Sequence, residues 1–431
     1  MIDNGTGEGR SRNICVVRER SLAAGLEKRA AGIFASRSFR MFYAGQAFSY
    51  VGDGLRTLAL PLLVFHLTGS ALSLGITYAL EFLPFAVTGL VGGSLADRLD
   101  RRRLLLACDF VRFFVIALFA VAYWRGFLTL PMLYVGIVVI SMCAAIFLGA
   151  QAPSIPYMVG KARTTQGVAA LVATEQAANM IAPSAGGALY GLGGPLPSLV
   201  VNALTYLASL ASLIFIPTLG PDQRKRPPGM RDLANDISVG FRFMLADVPM
   251  RTITLMSLGL NLFGMMATAV YIPFMKRDFG AADATIGVAL GIGASGAILG
   301  SLVAGKFSSR WPFGRALCWA YLIDGVIYLP VMFAHHIWIV VLFWTLANSV
   351  ATFEMTQIVS WRLRVIPEEQ IGRVFGAVRL VALIGVVPGT IVGGYLADAF
   401  GARLPVVVSG VAYLLLALLA FLVPQLRRDS R

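Results

Sequence analysis

Long apolar runs separated by short polar loops set the pattern of this chain. Twelve of them cover residues 41–66, 72–95, 104–123, 127–150, 168–191, 196–218, 251–275, 283–307, 314–335, 336–360, 374–399 and 403–424. Each is roughly 20 to 26 residues long, enough for a helix to cross a ~30 Å hydrocarbon layer. None shows the short alternating pattern of a membrane β-barrel strand. The ninth and tenth runs almost touch, with His335 and His336 marking the turn. The pattern predicts an all-α membrane protein of twelve transmembrane helices. Its parts are a polar, Arg-rich N-terminal tail (1–38), a six-helix bundle (39–218), a central loop (219–250), a second six-helix bundle (251–424) and a short tail (425–431). An interfacial helix near Leu22–Phe39 or a disordered tail is expected, and an amphipathic helix around Asp232–Leu245.

The two halves echo each other. Gly89-Leu-Val-Gly-Gly-Ser-Leu95 returns 207 positions later as Gly296-Ala-Ile-Leu-Gly-Ser-Leu302. The same register aligns Gly187 with Gly394, Leu189 with Leu396 and Tyr206 with Tyr413. Several matches in one register indicate a duplicated unit, so the two bundles are expected to be pseudo-symmetric and to flank a shared central site.

Composition supports a lipid-facing exterior. The chain is 57% hydrophobic and only 13% charged, where soluble domains carry about 25% charge. The net charge of +14 is spread over short loops rather than gathered in a stripe, which argues against nucleic acid. Of the 36 Lys and Arg, only Arg125, Lys276, Arg277 and Arg403 fall in the loops of one side, while Arg56, Arg112 and Arg379 fall within spans. All the others crowd the opposite loops and the tails, which are therefore expected in the cytoplasm. The N-terminal tail has no apolar core of a signal peptide. Cys15, Cys108, Cys143 and Cys318 have neither metal-ligand nor disulfide-framework spacing.

Three motifs carry a family resemblance. Gly93-Ser-Leu-Ala-Asp97-Arg98-Leu-Asp-Arg101-Arg102-Arg103 follows span 2. Gly93 permits close helix approach, and Asp97 can accept hydrogen bonds at a facing helix N-terminus. Arg98, Arg101 and Arg102 can bind phosphate headgroups or pair with Asp97. This run resembles the loop between helices 2 and 3 of the major facilitator superfamily, with Asp100 standing where the family has its second Gly. The resemblance implies that the loop latches two bundles together during transport; a purely topogenic basic loop is the alternative. Ala182-Pro183-Ser-Ala-Gly186-Gly187 in span 5 is similar to the superfamily's antiporter motif, with Ala182 in place of its first Gly; ordinary small-residue packing is the alternative. Arg364-Val-Ile-Pro-Glu-Glu-Gln-Ile-Gly-Arg373-Val-Phe-Gly376, together with Gly52-Asp53 and Ala59-Leu-Pro61, resembles the branch that holds the enterobactin exporter and macrolide efflux proteins. Glycine patterns at Gly291–Gly296 and Gly300–Lys306 imitate nucleotide loops but lie inside apolar helices, so no ATP site and no cofactor is expected.

An ionised side chain at mid-bilayer costs at least ~2.5–3.5 kcal/mol on insertion scales, so each one needs a reason. Asp53 in span 1 is a candidate for binding a proton or a cationic substrate, unless it only pairs with Arg56 three residues on. Glu81 in span 2 has no basic neighbour one turn away on its own helix and is a candidate for proton exchange, with a neutral, hydrogen-bonded structural acid as the alternative. Glu354 in span 10 is a third candidate. Asp109 and Arg112 (span 3), Glu175 (span 5) and Arg379 (span 11) are candidates for a network between the bundles, with structural roles as the alternative. Phe263, Met265, Met266, Tyr271, Phe343 and Trp344 could line an apolar cavity or merely pack. His66, His335 and His336 form no catalytic or metal constellation, and an enzyme is not expected.

The chain therefore reads as a monomeric secondary transporter of a bacterial inner membrane. Its expected partners are lipid, a small-molecule substrate and protons. The favoured activity is proton-coupled export of an amphipathic drug, antibiotic or siderophore by alternating access. Uptake by the same fold, and a transport-inactive receptor or scaffold, are the competing readings.

Overall fold

A computed structural model describes residues 32–217, 219–220, 230–307, 311–367 and 370–423. The interfacial helix expected near Leu22–Phe39 falls mostly outside them. The described residues are helical, with no strand among them. The first bundle holds α1 (Arg37–Thr68), α2 (Ala71–Arg98), α3 (Arg101–Trp124), α4 (Leu130–Val159), α5 (Thr164–Gly193) and α6 (Pro195–Ile214). An amphipathic linker helix, α7 (Met230–Ala246), follows. The second bundle holds α8 (Val248–Ala269), α9 (Tyr271–Phe279), α10 (Asp283–Phe307), α11 (Phe313–Tyr328), α12 (Ile337–Val365), α13 (Ile371–Phe400) and α14 (Arg403–Leu422). Among the described residues ten stretches are long and apolar enough to cross a membrane, α8 and α9 counting as one. Helices α2 and α5 complete two sets of six. Large apolar side chains such as Phe114, Val135, Leu302 and Leu415 stand more than half exposed on the outside of the bundles, where lipid replaces water as the favourable surroundings.

Local chemistry sets the helix ends. Ser36, Asp100 and Asp247 each accept a hydrogen bond from the backbone N–H three residues on, capping α1, α3 and α8. Gly69 ends α1 in the left-handed region at φ 64°, and Gly280 ends α9 at φ 59°. Two spans expected as single continuous helices are interrupted. The seventh, expected as one helix over 251–275, breaks at Val270 and continues to Phe279. Pro273 has no N–H to donate to the Ala269 carbonyl, and its ring crowds that oxygen. The ninth, expected over 314–335, stops as an α-helix at Tyr328 and tightens to a 3-10 turn, Leu329–Phe333, around Pro330.

The two bundles repeat one plan. Tyr206 on α6 donates its hydroxyl proton to the Asp53 carboxylate on α1 at 2.6 Å. Tyr413 on α14 donates to the Leu260 carbonyl on α8 at 3.2 Å. Both partners, 53 and 260, are separated by the same 207 residues as the tyrosines themselves.

The bundles meet along two related contacts, α2 against α13 and α5 against α10. Among the described residues, close glycine contacts between them lie in one half of the molecule. Gly394 and Gly75 bring α13 and α2 together at the Ala71 and Thr390 carbonyls. Gly187 lies against Gly287, where a Cβ would stand 2.8 Å from the Gly287 Cα and 2.9 Å from the Asp283 oxygen. These positions fall at the ends of α5 and α13 and the beginnings of α2 and α10, on the face away from the start of α1 and the end of α14. We call this the far face, and its opposite the terminal face. Gly187→Ala must move backbone rather than a flexible side chain, an overpacking cost of about 1–3 kcal/mol. It is expected to loosen the far-face contact. The check is a spin-label distance across that face, between positions 192 and 400, which should lengthen; an unaltered distribution would show that the contact tolerates the methyl.

Candidate functional site: a cavity, a triad and a closed far face

One cavity of about 920 Å³ is lined by α8, α11, α12, α13 and α14 of the second bundle. Its wall runs from Trp344, Tyr328 and Tyr413 at mid-depth to Arg362 and Arg373 near the terminal face. Trp344 is fixed by stacking on Tyr271 at 4.1 Å, just past the break in span 7. Met265 and Trp344 line the cavity. Met266 is buried; Tyr271 belongs to the core cluster that Phe263 and Phe343 pack against. Glu354 lies on the cavity wall, buried, with its Oε1 lacking a hydrogen-bond partner. Asp324 on α11 is equally buried, and its Oδ1 is likewise unpartnered.

The first bundle carries a charge cluster instead. Arg56 donates to Glu81 at 2.7 Å and stands 3.6 Å from Asp53. Glu81 is thus not the isolated carboxylate expected from its own helix. Its partner comes from α1, one helix away and 25 residues back. Asp53 does pair with Arg56, and it also holds Tyr206. One guanidinium therefore serves two partly exposed carboxylates.

Asp109 and Arg112 are 3.7 Å apart and buried. Asp109 accepts from Ser209 on α6 at 2.7 Å, and Arg112 lies over the rings of Phe147 and Tyr206. All of these partners belong to the first bundle, so the pair knits α3, α4 and α6 together rather than bridging the bundles. Glu175 is half-buried on α5. Arg379 lies on α13, and its side chain is outside the described residues.

Gly93, Asp97 and Arg98 occupy the last turns of α2, where side chains are also outside the described residues. The following arginines are described. Arg101 donates to the Pro153 carbonyl at 3.0 Å, and Arg102 donates to the Leu213 and Ile214 carbonyls at the end of α6. Cations suit helix C-termini because the last carbonyls are unpaired and the dipole is negative there. Pro183, Gly186 and Gly187 all sit at helix contacts of α5. Gly186 faces Leu55 on α1, while Gly187 and the Pro183 carbonyl meet Gly287 across the bundle boundary.

Sequence reasoning did not single out the far-face closure. Asp398, near the end of α13, accepts from the Ser70 hydroxyl at 2.7 Å and from the Ala71 and Leu72 N–H groups at 2.9 Å each, capping α2 from the other bundle. Arg277 pairs with Asp398 at 2.7 Å and donates to the Gly69 carbonyl. A second bridge joins Asp283 on α10 to Lys276 and, at 3.6 Å, to His66 of the first bundle. Polar bridges thus close the far face, while the cavity extends toward the terminal face.

Comparison with known proteins agrees with this architecture. Residues 30–430 match the sequence profile of a family described as transmembrane secretion effector. The chain is 25% identical over 415 residues to the enterobactin exporter EntS of Escherichia coli strain UTI89, covering 91% of this chain and 93% of that protein. It is 24% identical over 399 residues to "Uncharacterized MFS-type transporter YfiS" of Bacillus subtilis strain 168, covering 90% and 93%. Among solved structures, a bacterial homologue of the human lysosomal transporter Spinster, inward-facing and unoccupied, superposes with a TM-score of 0.73 at 16% identity, covering 90% and 96%. The nucleoside transporter NupG superposes with a TM-score of 0.73 at 12% identity, covering 91% and 99%.

Proposed function

Because this chain belongs to the transmembrane secretion effector family of major facilitator transporters, we propose that it is a proton-coupled exporter of an amphipathic small molecule. Its membrane would be a bacterial inner membrane, with the terminal face in the cytoplasm, as the charge asymmetry of the loops favours. The observation that carries this reading is the cavity of about 920 Å³ reaching the terminal face beneath a bridged far face. In that orientation it is a cytoplasm-facing loading state. Its lining mixes Met and aromatic side chains with a few polar groups, which suits an amphipathic cargo. The similarity to an enterobactin exporter supports the outward direction.

The triad of Asp53, Arg56 and Glu81 suits proton exchange. A single Arg can neutralise one carboxylate at a time, which leaves the second free to take up or release a proton as the bundles rock. Glu354 on the cavity wall is the second candidate for the same task. One charge moving down 100 mV provides about 2.3 kcal/mol, which sustains a cargo gradient on the order of 50-fold.

The test begins with a deletion strain and an overexpressing strain, challenged with toxic compounds and profiled for secreted metabolites. A labelled hit is then followed in inside-out vesicles. Uptake should follow acidification of the lumen and collapse with a protonophore. Cargo moving the other way would make the protein an uptake permease. Cargo-independent proton behaviour would remove the coupling, and no flux of any compound would favour a scaffold. Glu81→Gln is expected to bring the proton-driven gradient from about 50-fold toward unity while energy-independent exchange continues. A full gradient in Glu81→Gln would take the proton away from this residue.

A further inference from the structure

Arg362 on α12 is the unusual charge of the cavity wall. It is only 4% exposed. Its Nη2 reaches the hydroxyls of Thr254 and Ser257 at 3.5 and 3.4 Å, the outer limit for a hydrogen bond. Its Nε has no hydrogen-bond partner, and no carboxylate among the described residues lies within ion-pair distance of it. Among the described residues, the arginines Arg56 and Arg112 within the first bundle are paired, with Glu81 and Asp109 respectively.

Two ionisable groups on α12 therefore face the cavity without a partner, Glu354 and Arg362. They do not neutralise each other, since eight residues of helix separate them by about 12 Å of rise. Their chemistry differs in one decisive respect. A carboxyl group in a dry site can shed its charge by taking a proton; a guanidinium in a protein cannot. A buried, unpaired cation is costly, and five N–H donors with two long contacts are poorly satisfied. Among the described residues, none supplies an anion to balance Arg362.

We propose that Arg362 is the anion-binding residue of this cavity, and that the transported molecule is an amphipathic organic oxyanion, a carboxylate or sulfonate with an apolar or aromatic body. A planar guanidinium matches two oxyanion oxygens at once. Thr254 and Ser257 accept from the guanidinium; the Ser257 proton goes to the Ile253 carbonyl at 2.7 Å, which leaves the Thr254 hydroxyl to donate to the same anion. The body of the cargo lies along Ile358, Met355, Trp344 and Met265, deeper in the cavity. Arg373 lies exposed on the same wall at the terminal face. The proposal rests on the export reading only in taking this cavity as the cargo site.

The test uses the purified full chain in detergent and two probes with one fluorophore, the carboxylate dansylglycine and its neutral amide. Wild type should bind the acid about 10–100-fold more tightly than the amide, as a charge-assisted bidentate contact implies. In Arg362→Gln the acid should weaken to the level of the amide while amide binding stays the same, which reports an intact cavity. Arg362→Lys should keep part of the preference. Equal binding of the two probes by wild type, no saturable binding of either, an unchanged acid Kd in Arg362→Gln, or no acid preference in Arg362→Lys would each overturn the proposal. Flux in vesicles reads the export proposal separately. Proton-driven efflux of a cationic dye without an acid preference would remove the cargo class and leave export standing. Acid preference without any flux would do the reverse.

Discussion

Arg56→Gln is expected to be among the most destabilising single changes in the first bundle, with a cost of about 3–5 kcal/mol. The guanidinium is 10% exposed and stands between Glu81 at 2.7 Å and Asp53 at 3.6 Å. Removing it leaves two partly exposed carboxylates with one cation lost, and only Asp53 keeps a partner, the Tyr206 hydroxyl. The penalty comes mostly from stranding charge rather than from the worth of the pair, so a second change that removes a stranded charge should recover stability. Arg56→Gln/Glu81→Gln is therefore expected to regain at least half of what Arg56→Gln loses. Thermal unfolding of the purified protein in detergent measures both. If the double variant is no more stable than the single one, Glu81 is solvated well enough to need no counter-charge, and the shared-cation account of the triad fails.

The triad also shows where reading a sequence stops. The crossings were legible because lipid leaves the backbone few choices: each polar group must be satisfied within a long apolar helix, and such helices are visible in one dimension. The internal register was legible too, and the Tyr206 and Tyr413 hydrogen bonds to positions 53 and 260 show that it is structural. The partner of Glu81 was not, because a neighbour on another helix leaves no trace at helical spacing. The break at Val270 had a signal in Pro273, but apolar runs do not register a lost hydrogen bond. Arg362 counted as one of the terminal-face loop cations, whereas α12 runs on to Val365 and buries it. Its position two turns after Glu354 on one helix was the available clue. Asp109 and Arg112 were close enough in sequence to be paired, yet only the packing of α3 on α6 puts them inside one bundle.

Asp398→Ala is expected to shift the resting balance of the two faces. Its carboxylate accepts the Ser70 hydroxyl and two N–H groups of the first turn of α2, and it pairs with Arg277, all at 2.7–2.9 Å. An N-terminal cap contributes about 0.5–2 kcal/mol and a partly exposed ion pair about 0–1 kcal/mol. Within one bundle that loss would only fray a helix. Here donor and acceptor belong to different bundles, so the same energy holds the far face shut. It is absent when that face opens, which makes it a differential term of the kind that moves a two-state equilibrium. A loss of about 1–3 kcal/mol corresponds to roughly a 5- to 150-fold shift toward the far-open state. Spin labels at Leu192 and Phe400, both exposed on the far face and on opposite bundles, should show a longer-distance population that rises in Asp398→Ala. Asp398→Asn, which keeps an acceptor and loses the charge, should fall between. Cargo loading from the terminal face should weaken in parallel, because the loading state becomes less populated. If the Leu192–Phe400 distances do not change in Asp398→Ala, the small-residue contact of Gly187 with Gly287 holds this face by itself, and the carboxylate only caps α2.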